Sequence, residues 1–216
     1  MSISEGIRIN DRHSYGNFGL TLKTRKIGLP EKKSIRQTVP FMNGYYDFSA
    51  LNGAPAWNER IIEYSFDVIN ENPVDLDFFV SYVLDWLGNI HDTDIYDDTT
   101  YGYHWHGSYD NASVTWDDSG LQAEISVSFV VHPFKIADNP TQYTMTAGTY
   151  TVFNPGMVVA PIVKSNAASA IQIGNYVSSI PANEEIRLEI DLERGENTVF
   201  VTGDGTVTFS FYEEVL

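Results

Sequence analysis

The chain has 216 residues, 43% of them apolar, no cysteine and a formal net charge of −16. Such a length and apolar content suit one large domain or two small ones with a sizeable core, and the lack of thiols excludes disulfides and thiolate metal sites. So acidic a balance argues against nucleic acid as a partner, because phosphate recognition needs a cationic footprint.

In chain order, the opening MSISEGIRIND lacks both the basic and the apolar region of a secretory signal, and no later run is long and apolar enough to predict a membrane-spanning helix. Residues 3–28 read as two short strands around a polar turn at 11–19, with Leu20, Leu22 and Ile27 on the apolar side. Gly28-Leu29-Pro30 breaks the strand, and 32–39 resumes extended structure before Pro40. Two basic extended segments around a Gly/Pro turn predict a long hairpin or arm over residues 20–40, too poor in apolar residues to pack on its own core. Residues 1–36 hold eight Lys/Arg against three Asp/Glu, whereas 37–133 hold one against sixteen and 134–216 four against ten. A chance basic strand on an acidic protein gives this pattern; so does an arm that reaches the acidic surface of a neighbouring copy. On the second reading the contact residues are Lys23, Arg25, Lys26, Lys32, Lys33 and Arg36. An aromatic loop follows, with Tyr45, Tyr46, Phe48 and Trp57 as its candidate contacts, Asn52-Gly53 as a turn signal and Pro55 as a rigid element.

Residues 60–69 alternate cleanly, Ile62, Tyr64, Phe66 and Val68 against Glu63, Ser65 and Asp67, which predicts a strand with one buried face. One helix is expected over 73–88: Asn72 as N-cap, Pro73 in the first position, and Leu76, Phe79, Val80, Val83, Leu84 and Leu87 as an apolar stripe, with Gly88 as a left-handed stop. Residues 91–100 read as an acidic turn, followed by strands at 101–109, 113–117 and 121–132. A boundary is placed after His132-Pro133, giving domains 1–133 and 134–216. Beyond it, short strands are expected at 142–153, 158–164, 170–173, 184–192, 198–201 and 206–212, with tight turns at 195–197 and 203–205. The fold class is therefore mainly β: an N-terminal sandwich-like domain with one helix and an extended arm, and a C-terminal β-sandwich or jelly roll.

Candidate chemistry is thin. His104 and His106 share one face of a strand near Asp110 and could hold an ion, though the same alternation describes a half-buried strand. Asp92, Asp94, Asp97 and Asp98 invite a calcium loop, but the sixth and twelfth positions hold Asp97 and Tyr103 where Gly and Glu are required. No nucleophile elbow or phosphate loop is present, so catalytic and metal residues are set at none, no cofactor is expected and the protein is read as no enzyme. Glycan binding through stacked aromatics is the alternative function, with Tyr143, Tyr150 and Tyr176 available in the C-terminal domain and Trp57 in the loop; all four tryptophans precede the boundary.

The order of several turns and aromatic clusters resembles that of phage distal tail proteins. HSYxxFGL (13–20), PEKK (30–33), YDFS (46–49), PxWxER (55–60), WLG (86–88) and HPF (132–134) carry the likeness in the N-terminal domain, and NPG (154–156), RGENTV (194–199) and GDGTV (203–207) in the C-terminal one. The resemblance implies a non-enzymatic virion protein of a phage or prophage tail tip, assembled in the host cytoplasm. It implies a hexameric ring whose N-terminal domains line the inside, whose arm embraces the neighbouring subunit and whose galectin-like C-terminal sandwich projects outward. The partners it implies are further copies of the chain, the tail tube protein, the tail-tip or baseplate hub and a receptor-binding protein. The C-terminal domain is short for the insertions some relatives use to hold the last of these. An acidic lumen would let DNA pass without sticking.

Overall fold

The structure, a computed structural model, describes residues 5–49 and 55–216, so the expected turn at Asn52-Gly53 lies outside the described residues. The chain divides into two units, Met1–Lys135 with Leu216, and Ile136–Val215. Unit 1 runs β1 (Ile7–Ile9), β2 (Arg12–His13), α1 (Ser14–Phe18), β3 (Thr21–Ile27), β4 (Arg36–Gln37), β5 (Tyr46–Asp47), β6 (Arg60–Ile69), α2 (Pro73–Gly88), β7 (Thr93–Asp97), β8 (Tyr103–Trp116) and β9 (Gln122–Val131). A short strand, β10 (Lys135–Ala137), follows. Unit 2 holds β11 (Thr141–Met145), β12 (Gly148–Asn154), β13 (Ile162–Ser165), β14 (Ser169–Ile173), β15 (Tyr176–Ile180), β16 (Glu185–Arg187), β17 (Gly195–Gly203), β18 (Val207–Phe211) and β19 (Glu214–Val215). Mainly β, with antiparallel sheets in both units, is the class the sequence predicts.

In strand β6 Ile62, Tyr64, Phe66 and Val68 are buried and Glu63 faces solvent, as the alternation requires, whereas Ser65 on the other face is buried too, in hydrogen-bond contact with Thr24 of β3. It pairs with β9 over its whole length, from Arg60 opposite Val131 to Ile69 opposite Gln122, and the inward residues Ala123, Ile125, Val127, Phe129 and Val131 complete that face. Each fully buried side chain of this size contributes about 1.5–3 kcal/mol through removal from water. The strands run in the order β2-β1-β7-β8-β9-β6-β3. Strand β8 belongs to two halves of this sheet. Its first residues pair with β7, Ile95 opposite Trp105 and Thr93 opposite Gly107, and from Gly107 onward it pairs with β9, as far as Trp116 opposite Ala123. Gly107 is thus the corner where one strand passes between two packed layers. A Cβ there would fall on the Val130 carbonyl oxygen and 2.7 Å from the Val131 Cα, which is why the corner carries glycine.

Helix α2 forms over the predicted residues. The Asn72 side chain accepts a hydrogen bond from the Val74 amide at 3.0 Å, and Pro73 occupies the first position, where its missing N–H costs nothing. Leu76, Val80, Val83, Trp86 and Leu87 are buried in the unit 1 core, and Trp86 stacks on Phe18 of α1 at 4.4 Å between ring centroids. Gly88 is not a left-handed stop: it is the last helical residue, and the cap is Asn89 at φ −89°, whose side chain donates to the Asp85 carbonyl at 2.6 Å.

Several expectations are corrected. The polar turn at 11–19 contains α1, a single turn of helix capped by a histidine: the His13 Nδ1 accepts from the Tyr15 and Gly16 amides, and Gly19 at φ 65° ends it. Histidine is outside the usual set of capping residues, so no signal announced the helix. Residues 91–100 contain β7, in which Ile95 and Asp97 point inward; aspartates are depleted in strands, and partners on β1 and β8 override that preference. The strands expected at 101–109 and 113–117 are one strand with a bulge between Tyr109 and Asn111.

Unit 2 is built from two four-stranded sheets, β11-β18-β13-β16 and β12-β17-β14-β15, whose inward residues form one core around Val163, Ile171, Val199, Val201, Val207 and Phe209. The strand expected at 142–153 is split into β11 and β12, with the Thr146 amide donating to the Tyr150 hydroxyl where the chain turns. Strand β15 went unread, although Gly174-Asn175 between Ile173 and Tyr176 is a two-residue hairpin signal. Of the expected strand at 184–192, Glu185–Arg187 forms β16 and Leu192 makes a lone antiparallel bridge with Val159, and residues 195–197 open β17 rather than making a turn.

Candidate assembly interface

The basic N-terminal segment separates into two parts of different character. Its first part, β3, is an edge strand hydrogen-bonded to β6, not to residues 32–39, so the hairpin expected over 20–40 is not formed. Lys23, Arg25 and Lys26 therefore sit in the sheet of unit 1 and are paired there. Lys23 lies 2.7 Å from Glu124 and 3.4 Å from Asp67, Lys26 lies 3.0 Å from Glu63, and Arg25 lies 3.0 Å from the buried Asp97. A bulge between Leu22 and Thr24 sets this arrangement by bringing Arg25 opposite Tyr64, on the inward face. Without the extra residue Thr24 would face inward and Arg25 outward.

The second part, residues 28–49 and 55–59, is an arm whose hairpin partner is its own returning half. Lys33 donates its amide to Ala56, Asn58 to Glu31 and Phe48 to Ile35, each at 2.8 Å, and β4 pairs with β5. Side chains reinforce the ribbon. Arg36 lies 3.5 Å from Asp47 and 4.4 Å from the Tyr45 ring centroid, and Lys32 lies 5.4 Å from the Trp57 ring centroid. Hydrogen bonds from Ser49, with the Arg36 charge behind them, hold the Asp47 carboxyl below its ordinary range. Trp57 is part-buried against Phe134, edge to face.

Every residue from 31 to 40 is exposed. The arm also presents Leu29, Ile35, Val39, Phe41, Tyr45 and Tyr46 to solvent, Phe41 with its whole side chain free. Apolar side chains in this density, mixed with Lys32, Lys33 and Arg36, are what an interaction surface leaves exposed. The structure thus keeps Lys32, Lys33, Arg36 and the aromatic residues on one accessible element and places Lys23, Arg25 and Lys26 elsewhere.

A second exposed apolar surface was not read from the sequence. Val74, Phe78 and Tyr82, four residues apart on α2, lie outside the buried stripe, and Phe78 is 71% exposed. The signal was available: apolar residues at i, i+4 and i+8 on a second helical face.

The clusters considered for catalysis or metal binding resolve into ion pairs. His106 bridges Asp94 at 2.7 Å and Asp92 at 3.0 Å, and the Asp94 hydrogen bond raises its pKa above the ordinary histidine value. His104 lies 3.5 Å from Asp94, while Asp110 accepts from the Ser128 hydroxyl instead. Asp98 accepts from the Gly6 amide and lies 2.8 Å from His13; Asp97 is buried beside Tyr64. Among the described residues no group of three or more His, Cys, Asp or Glu is placed to hold an ion. Tyr143, Tyr150 and Tyr176 are part-buried against the unit 2 core, and their hydroxyls accept from the amides of Phe153, Thr146 and Glu189. They serve as packing and turn-closing residues there.

No family model matches the chain, and no curated protein does. Among solved structures it is similar to the Dit protein of phage SPP1, described as a paradigm of the hub adsorption apparatus in phages that infect Gram-positive bacteria. The TM-score is 0.73 at 14% identity, over 98% of this chain and 99% of that one. A baseplate structure of phage P2 gives a TM-score of 0.45 at 6% identity, over 97% and 98% of the two chains. The fold of this chain is thus that of the SPP1 Dit protein from end to end, and the resemblance read from ordered turns and aromatics is borne out as a likeness of fold.

Proposed function

We propose that the chain is a structural hub of a phage or prophage tail tip, without enzymatic activity. It assembles into a ring, six copies by analogy, that joins the tail tube protein to the tail-tip or baseplate complex. The end-to-end likeness of fold to a phage hub protein carries this reading, and the exposed basic and apolar arm supports it. A ring of identical subunits needs a heterologous contact, one surface of each copy meeting a different surface of the next. The arm supplies one such surface: an element already paired with itself loses little conformational freedom on docking, so its apolar residues are free to contribute to association. The charge distribution fits the same assembly, since residues 37–133 hold a single cation, Arg60.

The test is light-scattering mass against protein concentration for the wild type and for Lys32→Glu with Lys33→Glu. The wild type is expected to reach a defined mass of about six chains, and the double variant to dissociate at concentrations where the wild type is assembled, with unchanged circular dichroism. A variant with wild-type oligomer mass would remove the arm from the contact. A wild type that stays monomeric and shows saturable glycan binding would replace this reading with a carbohydrate-binding module.

A further inference from the structure

We infer that the exposed stripe of α2, Val74, Phe78 and Tyr82, is the seat for the arm of a second copy of this chain. This rests on the assembly reading above and specifies its other half. Three observations on the two surfaces carry it.

The first is charge. The sixteen residues of α2 contain Asp75, Asp77 and Asp85 and no cation, and Glu71 precedes them. The stripe is therefore an apolar ridge whose charged neighbours on the helix are all carboxylates, with Ser81 between Phe78 and Asp85 and the Tyr82 ring 5.7 Å from that of Phe18. The arm offers Lys32, Lys33 and Arg36 beside exposed apolar residues, together with Glu31, Asp47 and Glu59; Arg36 is held by Asp47, and among the described residues Lys33 forms no ion pair. A lipid surface or a nucleic acid would meet carboxylates on the helix and is disfavoured by the same charge that favours the arm.

The second is dimension. From Val74 to Tyr82 the helix rises about 12 Å, at 1.5 Å per residue. From Ile35 to Val39 an extended chain spans about 13 Å, and residues two and four apart share a face. Lys33, Ile35 and Val39 fall on that face, so two exposed apolar side chains span the length of the ridge, with the Lys33 cation at one end beside its acidic border.

The third is topology. The arm leaves the sheet between β3 and β6, whereas α2 connects β6 to β7, so each copy offers two different surfaces. Arm-to-helix contacts repeated head to tail close into a ring, whereas the same contact exchanged about a two-fold axis gives a dimer, and the oligomer mass tells the two apart.

A charge exchange tests the assignment. Asp75→Lys with Asp77→Lys is expected to raise the concentration for half-assembly about tenfold or more, as Lys32→Glu with Lys33→Glu does, and the two reversals combined in one chain are expected to bring it back to within about threefold of wild type. Phe78→Ser, which changes an exposed residue and no charge, is expected to weaken assembly alone and covers the case in which the lysine variants fail to fold. In parallel, a photoreactive phenylalanine analogue at Val39 is expected to cross-link to residues 71–85 of a differently isotope-labelled chain. Cross-links to another surface, or a combined variant no better than its parents, would overturn the helix seat and leave the ring reading standing. A wild type that stays monomeric at millimolar protein, with no interchain cross-link, would overturn both.

Discussion

Asp97 shows how much of unit 1 depends on single polar side chains. Its carboxylate is fully buried, yet it accepts from the Tyr64 hydroxyl at 2.9 Å and from the Thr99 amide and hydroxyl at 2.9 and 2.7 Å, with Arg25 at 3.0 Å. Burial and this carboxylate both push the Tyr64 hydroxyl well above its usual pKa. Asp97→Ala leaves a buried hydroxyl and a part-buried guanidinium without their acceptor, and is expected to cost about 2–4 kcal/mol in urea unfolding, the lower part of the range for buried pairs because Arg25 is part-exposed. Arg60 is the opposite case: burial lowers its pKa to about 10, its guanidinium lies 4.0 Å from the Trp105 ring centroid, and among the described residues its acceptor is the Gly28 carbonyl. His106 sets a pH dependence of definite sign. Its pKa is raised in the folded state by Asp94 and then Asp92, so its contribution is complete below the unfolded histidine pKa and is lost as pH rises through the folded value. The melting-temperature advantage of wild type over His106→Gln is expected to be larger at pH 5.5 than at pH 8; an advantage that grows with pH would exclude the Asp92–His106–Asp94 bridge.

At the scale of elements, the sheet of unit 1 must fold back on itself. Strands β7 and β6 are three places apart, about 14 Å in a flat sheet, yet Asp97 and Tyr64 are in hydrogen-bond contact. The return is made at Gly107, where β8 changes partner. Gly107→Val is therefore expected to destabilise unit 1 by about 2–4 kcal/mol, since the branched side chain must displace backbone rather than a flexible neighbour. A loss under about 0.5 kcal/mol, the size of an ordinary surface change, would show that the corner lies elsewhere. The alternation of β6 and β9 and the capped apolar stripe of α2 were readable because each is a local pattern whose period fixes a face. Strand β7 and the continuity of β8 were not, because each depends on a partner far away in sequence, and the α1 turn was not, because its cap is a histidine, outside the usual capping set.

At the scale of the whole molecule, the net charge of −16 and its uneven distribution bear on the proposed assembly. Acidic copies repel, so assembly depends on contacts that bring cations to carboxylates, and these weaken as salt screens them beyond about 8–10 Å. The salt dependence of the oligomer mass follows from that physics: charge pairs at exposed positions lose strength in high salt, whereas the apolar residues of the arm and of α2 do not. A ring held mainly by the aromatic and aliphatic contacts would persist at high salt after the charge reversals had ceased to matter.

Composition, alternation and capping were sufficient to settle the mainly β class, the placement of β6, α2 and β9, and a basic segment on an acidic chain, because all of these are properties of neighbouring residues. Which basic residues lie in the sheet and which on the exposed arm was decided by tertiary structure. One bulge in β3 turns Arg25 inward to Asp97, and pairing with β6 occupies Lys23 and Lys26, while the return of the chain from 46 to 58 leaves Lys32, Lys33 and Arg36 on an exposed arm. Register and strand partners are long-range choices, and a shift of one residue exchanges the inward and outward faces of a strand, so no local pattern could have divided those six cations.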